Sequence, residues 1–169
     1  MGLWNVLFKN EGAKNEFEIR LHEKISKILP EDDENSQVEI ACVAGLLARV
    51  AYTDMVVEPQ EKKAMCEALA KYSKLDSKKI DLVTDLAIAE MKDLAGLQNH
   101  RYGIILSDLW GAEQKHRLLE TLFAIAASDG STTNEESEEI RNICHSLKLP
   151  PNNYLAARAT VLDSLAALK

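Results

Sequence analysis

Apolar residues recur at intervals of three and four along most of the chain from Val38 onward. This spacing places apolar side chains on one face of an α-helix and differs from the alternation of a half-buried strand. The pattern predicts an all-α fold, a compact bundle of about seven to eight helices. Further helices are expected at 102–110 and, behind two prolines, at 155–168. The predicted stripes are Val43, Leu46, Leu47 and Val50; Met65, Ala68, Leu69 and Tyr72; and Ile80, Val83, Ala87 and Met91, the last continuing to about Leu97.

The pattern of the first two helices repeats 75 residues later in the chain. Asp54 corresponds to Asp129 and Glu61 to Glu136, so the polar residues between the helices match together with both stripes. A fixed period of this kind indicates a duplicated unit. Two helix-turn-helix units, at about 38–75 and 113–150, are expected to bury their stripes against each other around an approximate internal two-fold axis. The matching apolar pairs include Val43 and Leu118, Leu47 and Leu122, Val50 and Ile125, and Met65 and Ile140.

The first 36 residues differ from the rest of the chain. An amphipathic helix is predicted from about 11 to 29, with Pro30 ending it and an acidic, solvated linker at 31–36. Residues 37–169 are then expected to form the helical domain, the two parts together making one structural unit. The stripe predicted for the N-terminal helix is Phe17, Leu21, Lys24 and Ile28.

Composition supports the helical prediction. Of 169 residues, 46% are hydrophobic and 28% charged, as in soluble globular domains, whereas aromatic residues, at 5%, are scarce. With so few Gly and Pro residues as well, helices are favoured over a β-rich fold. Cys42, Cys66 and Cys144 lie in apolar helical contexts without a CxxC pair, so they are predicted to be buried, reduced thiols.

The acidic balance of the chain limits its partners. A net charge of −7 argues against non-specific nucleic-acid binding, and it suits cations or the basic surface of an unidentified protein partner. No apolar run reaches the ~20 residues that span a bilayer and no secretory signal is seen, so a cytoplasmic location is expected. Peripheral membrane contact through residues 1–29 stays open, although Trp4, Leu7 and Phe8 are more readily interpreted as core residues.

Each repeat carries an Asp where its first helix ends and a Glu seven residues later, in the first turn of the next helix. One interpretation is purely structural. Thr133 and Glu136 have the spacing of a capping box, which contributes about 1 kcal/mol and needs no ligand. Glu58 and Glu61 would form a weaker version, and the Asp of each turn would accept hydrogen bonds from turn amides.

The other interpretation is a divalent cation site, because Ca²⁺, Mg²⁺ and Mn²⁺ prefer several carboxylate and carbonyl oxygens. The second turn is similar to the second half of an EF-hand loop, but Ile125 and Ala127 stand where its first ligands would be. A single turn therefore has too few ligands, unless the duplication brings both turns together or a partner completes the coordination. The candidate metal ligands are Asp54, Glu61, Asp129 and Glu136.

The stretch LLETLFAIAASDGSTTNEESEEIRNICHSLKLP resembles the second half of a TerB-type tellurite-resistance domain. The signature is an apolar helix, then Ala-x-Asp-Gly, a Glu, and an apolar helix ending in a Leu-rich step. The earlier VAGLLARVAYTDMVVEPQEKKAMCEALAKYSKLD is similar to the first half, with Met55 in place of the expected Gly. There, Val57 and Pro59 make the turn stiffer and more apolar. The resemblance runs from about 38 to 165.

The resemblance implies an all-helical, non-enzymatic, cytoplasmic domain of bacterial stress systems linked to tellurite and other chemical insults. It also implies acidic positions that chelate a metal, which in this chain are Asp54, Glu61, Asp129 and Glu136.

Two other functions stay open. One is a metal-independent module that binds a partner protein. The other is a di-iron carboxylate enzyme, because Glu113 and His116 have the ExxH spacing of such sites. That enzyme needs the pair twice, and Glu18 and His22 are one residue too far apart. Catalysis is therefore the least favoured interpretation.

Overall fold

The structure is a computed structural model that describes residues 16–93 and 101–167. Within these ranges all regular secondary structure is helical, which confirms the predicted all-α fold. The predictions for Trp4, Leu7 and Phe8, and for the continuation to Leu97, lie outside the described residues. The helices are α1 (Glu16–Ile28), α2 (Glu34–Ala51), α3 (Pro59–Tyr72), α4 (Ser77–Asp93), α5 (Arg101–Leu109), α6 (Ala112–Ala126), α7 (Asn134–Ser146) and α8 (Pro151–Ala167).

Helix α2 lies at the centre of the bundle and contacts α1, α3, α4, α5, α6 and α7. Most of its residues are buried, and several of them are small. Small side chains allow neighbouring backbones to approach closely. Gly45 marks the closest approach, because the fully buried ring of Tyr102 from α5 lies directly against it.

The two helical hairpins, α2–α3 and α6–α7, pack on each other as the repeat predicted: α2 contacts α6 and α7, and α3 contacts α6. Of the matched stripe residues, only Tyr72 stays partly exposed. Its ring stacks on Trp110, with 5.7 Å between centroids, and its hydroxyl lies 3.1 Å from the Thr121 hydroxyl. The final helix, α8, begins at Pro151, earlier than predicted, and packs on α6 and α7.

The buried face of the N-terminal helix, α1, differs from the predicted stripe at Lys24. Helix α1 packs on α2 and α4, and Leu21 and Ile25 of the helix are fully buried together with Leu29, the residue that follows it. Lys24, which was assigned to the apolar stripe, instead forms an ion pair with Glu90 of α4. Glu90 is 2% exposed and also pairs with Arg20 at 3.0 Å. A buried carboxylate needs such partners, so these pairs fix how α1 docks.

The acidic linker is shorter than predicted. Helix α2 begins at Glu34, and Asp33 is its N-cap, with its carboxylate accepting from the Ser36 amide at 3.1 Å. Residues 34–36 are therefore the first turn of a helix, because an Asp followed by polar residues caps a helix as readily as it forms a solvated loop.

The burial of the cysteines largely follows the prediction. Cys42 and Cys144 are buried and Cys66 is half-buried, and all three are free thiols. Across 16–93 and 101–167, no helix is long and apolar enough to cross a membrane.

Candidate functional site

The turns between α2 and α3 and between α6 and α7 have the same hydrogen bonds. Asp54 Oδ1 accepts from the Val56 amide at 3.0 Å, and Asp129 Oδ1 accepts from the Ser131 amide at 3.1 Å. The N–H groups of residues 55 and 130 each donate to the carbonyl three residues earlier, at 3.0 Å in both turns. The repeat seen in the sequence is therefore a repeat of backbone geometry.

The Glu of each turn accepts a hydrogen bond from the N-cap of its own helix. Glu61 Oε2 accepts from the Glu58 amide, and Glu136 Oε2 from the Thr133 amide, both at 2.7 Å. In the second turn the Thr133 hydroxyl accepts from the Glu136 amide at 3.1 Å, which completes the predicted capping box. Both Glu residues are also nearly buried.

The four candidate ligands influence one another across the two turns. Burial raises the pKa of Glu61 to about 7; the Glu58 amide opposes this shift, and the negative charges of Glu136, Asp54 and Asp129 add to it. Burial likewise raises the pKa of Glu136, against its Thr133 hydrogen bonds, with a further contribution from the two Asp residues. The duplication thus brings carboxylates of both turns within electrostatic reach of one another.

The carboxylates do not, in this conformation, surround one point. Among the described residues, no three His, Cys, Asp or Glu side chains are placed to hold a metal ion together. Each of the four carboxylates uses one oxygen for a backbone amide, and its other oxygen accepts no hydrogen bond from the described part of the chain. Amide bonds of this type orient a carboxylate and leave one oxygen for another partner.

Met55 replaces the expected Gly without changing the turn. Its φ is 68°, and Gly130 in the matching position has φ 104°. A left-handed backbone is unfavourable for a residue with a Cβ atom, so the first turn is strained where the second is not. The first turn therefore keeps the geometry of the second at the expense of backbone strain at Met55.

We expect Met55→Gly to raise the free energy of unfolding by about 0.5 to 1 kcal/mol, because the strain is relieved and an exposed side chain loses little packing. Gly130→Ala is the reciprocal change. No atom lies within 4 Å of its added Cβ, so only backbone strain acts, and a loss of about 1 kcal/mol is expected. Urea denaturation of both variants measures the effect, and a destabilised Met55→Gly protein would contradict it.

Arg49 is a residue near the site that the sequence did not single out. It extends from α2, one turn before Asp54, and its Nε lies 2.6 Å from Glu139 Oε1 on α7. Both side chains are largely buried. The positions related to them by the repeat are Ala124 and Ala64, so comparison of the repeats gave no signal for this pair. The two repeats therefore differ in charge next to their turns: the first has Arg49 and the second has Glu139, where the other repeat has alanine.

The ExxH pair is accounted for by helix packing. His116 Nδ1 lies 3.0 Å from the Asn153 side chain of α8, and Nε2 lies 3.5 Å from Glu120. Glu113 is exposed and pairs with Arg117. The two side chains thus have separate partners.

Taken together, the geometry defines a domain of duplicated helical hairpins with two equivalent acidic turns. Residues 39–159 match the family model described as Tellurite resistance protein TerB. Because the match covers well over half of the chain, the protein belongs to the TerB family. TerB domains are generally non-enzymatic. No curated protein and no solved structure matches the chain.

Proposed function

We propose that this tellurite-resistance-associated domain acts without catalysis by binding one divalent cation between its two acidic turns. Asp54, Glu61, Asp129 and Glu136 would supply the ligands. The observation that carries the proposal is the burial of Glu61 and Glu136 close enough to Asp54 and Asp129 for the negative charges of the two Asp residues to oppose their ionisation. Repulsion of this kind is relieved either by protons or by a bound cation.

The chemistry of the donors favours a hard cation. All four candidates are carboxylates, and each has an oxygen that accepts no hydrogen bond from the described residues. Ca²⁺, Mg²⁺ and Mn²⁺ bind such oxygens, whereas Zn²⁺ prefers nitrogen and sulfur. The carboxylates must draw together on binding, at the expense of the bonds by which Glu61 and Glu136 cap their helices. Moderate affinity is expected from that competition.

A thermal-stability titration with Ca²⁺, Mg²⁺, Mn²⁺ and Zn²⁺ tests this function. A cation that binds the folded state raises the midpoint with the logarithm of its excess, by an amount corresponding to about 2.7 kcal/mol at a hundredfold excess over Kd. We expect at least one of the three hard cations to raise the midpoint. Asp129→Asn combined with Glu136→Gln is expected to abolish that rise.

A matched control removes the same charge elsewhere. Glu67 and Glu113 are exposed and form only ion pairs within their own helices, so Glu67→Gln with Glu113→Gln lowers the negative charge equally. This control is expected to keep the cation-induced rise. The proposal fails if no cation changes the midpoint, or if the rise survives in the Asp129→Asn, Glu136→Gln protein.

A metal-independent interaction is the second candidate. Met55 and Val56 are 63% and 52% exposed and lie directly beside Asp54. An apolar pair next to carboxylates suits a partner protein that presents apolar and basic side chains. This function alone predicts no midpoint shift with any of the four cations, so the same titration separates the two.

A further inference from the structure

Helix α8 carries apolar residues on two separate faces. Its inner face packs on the core through Tyr154, Ala157 and Val161. The outer face is also apolar, with Leu155 and Leu162 58% and 48% exposed. A contiguous exposed apolar stripe of this kind is typical of an interaction surface. The outer face consists of Leu155, Ala159, Leu162 and Ala166.

The outer face has the spacing of a coiled-coil seam. Its residues are separated by four, three and four positions, which corresponds to alternating d and a positions of a heptad. The only charged residues of α8 are Arg158 and Asp163, at the flanking g and e positions. Both are exposed, and neither forms an ion pair with any other described residue. The outer face thus carries few charges, although 28% of the residues in the whole chain are charged.

We propose that the outer face of α8 binds the same face of a second copy of this chain, as a short parallel helix pair. In a parallel pair, a g residue lies beside the e residue five positions later on the other helix. Arg158 of each copy then meets the partner's Asp163, which gives two opposite-charge pairs. An antiparallel pair would bring Arg158 against Arg158 and Asp163 against Asp163, so the charges select the parallel arrangement.

The size of the face sets the strength of the dimer. Helix α8 has 17 residues, about 25 Å of helix, which is little more than two heptads. The area it can bury is well below that of a standard stable interface, so a weak dimer with a Kd of about 10 to 500 µM is expected. The family match ends at residue 159, so Leu162 and Ala166, which form half of the outer face, lie outside the matched region.

Sedimentation equilibrium of the whole chain over a concentration series tests the proposal. Arg158→Glu and Asp163→Arg each turn both cross-pairs into like-charge contacts, and each is expected to weaken self-association about tenfold. An equimolar mixture of the two variants restores both attractive pairs as a heterodimer. The double variant Arg158→Glu, Asp163→Arg restores them in a homodimer. Both are expected to return to the wild-type association constant.

Leu162→Ser tests the apolar part of the face. It is expected to abolish the dimer without unfolding the monomer, because Leu162 is about half exposed. Leu82→Ser on α4 is the matched control, since Leu82 is 47% exposed, and it is expected to leave the dimer unchanged. A wild-type monomer up to about 500 µM overturns the proposal. The parallel register is overturned if the equimolar mixture and the wild type have different association constants.

Discussion

Gly45→Ala is expected to lower the free energy of unfolding by about 2 to 3 kcal/mol, although alanine is the better helix former by about 1 kcal/mol. A Cβ atom added at Gly45 would lie 2.8 Å from two ring carbons of Tyr102 and closer still to a third. The ring cannot move aside, because Tyr102 is fully buried. Steric conflict between α2 and α5 therefore outweighs the gain in helix propensity.

Urea denaturation of the variant measures this loss, and two further proteins identify its cause. Gly111→Ala adds a methyl group where no atom lies within 4 Å, so no steric loss is expected, and only the weaker N-cap preference of Ala, about 0.5 to 1 kcal/mol, acts on stability. Tyr102→Leu in the Gly45→Ala background removes the obstructing ring. The two substitutions should cost less together than the sum of their separate effects. A Gly45→Ala protein as stable as the wild type would show that the helices separate at little cost.

The close approach of α2 and α5 at Gly45 could not be predicted from the sequence. The spacing of apolar residues predicted which face of each helix is buried, and the matched stripes of both repeats are indeed in the core. The same spacing does not say which helix lies opposite. Gly45 against Tyr102, and Gly103 against Ser146, depend on the angles between α2, α5 and α7, which follow from the packing of the whole bundle.

The N-terminal helix shows a second limit. Periodicity placed Lys24 on the apolar stripe, because a long side chain at a helical interval is compatible with either an apolar face or its edge. The structure uses it to bind Glu90 of α4. Glu90 follows Ala87 by three positions and so shares its buried face. A buried carboxylate there becomes understandable only once Arg20 and Lys24 of α1 are placed beside it.

The candidate site was predictable because it is duplicated. Two weak signals, each an Asp followed seven residues later by a Glu, fell in the same register, and the structure gives both turns the same hydrogen bonds. Whether these Asp and Glu side chains cap helices or bind a cation was not predictable. Capping and cation binding use the same carboxylates, so the sequence fits both, and which one prevails depends on side-chain conformation and on the supply of cations.

Glu61 is expected to make the protein less stable as the pH rises from about 4.5 to about 7 in metal-free buffer. Burial and the neighbouring carboxylates raise the pKa of Glu61 from 4.5 to about 7 in the folded state. The folded protein therefore holds this proton more tightly than the unfolded chain does. The resulting stabilisation is complete below pH 4.5 and is lost by about pH 7, a loss of about 1 to 2 kcal/mol after solvent screening.

The difference between the wild type and Glu61→Gln isolates this contribution. The amide side chain of the variant stays neutral at every pH, and its oxygen can still accept from the Glu58 amide. His22 acts in the opposite sense, because burial lowers its pKa, but it contributes equally to both proteins. With EDTA present, the variant is expected to match the wild type near pH 4.5 and to exceed its free energy of unfolding by about 1 to 2 kcal/mol at pH 8.

Glu135→Gln is the control for this comparison, since Glu135 is an exposed neighbour of Glu136 and its removal should leave the pH dependence unchanged. Adding the cation identified by the titration to the wild type should remove the loss of stability at pH 8, because the cation neutralises the same charge that the proton does at low pH. A stability difference between wild type and Glu61→Gln that stays constant from pH 4.5 to 8 would mean that neither burial nor the neighbouring carboxylates raise the pKa of Glu61 in the folded protein. In that case Glu61 serves to begin α3 by accepting from the Glu58 amide.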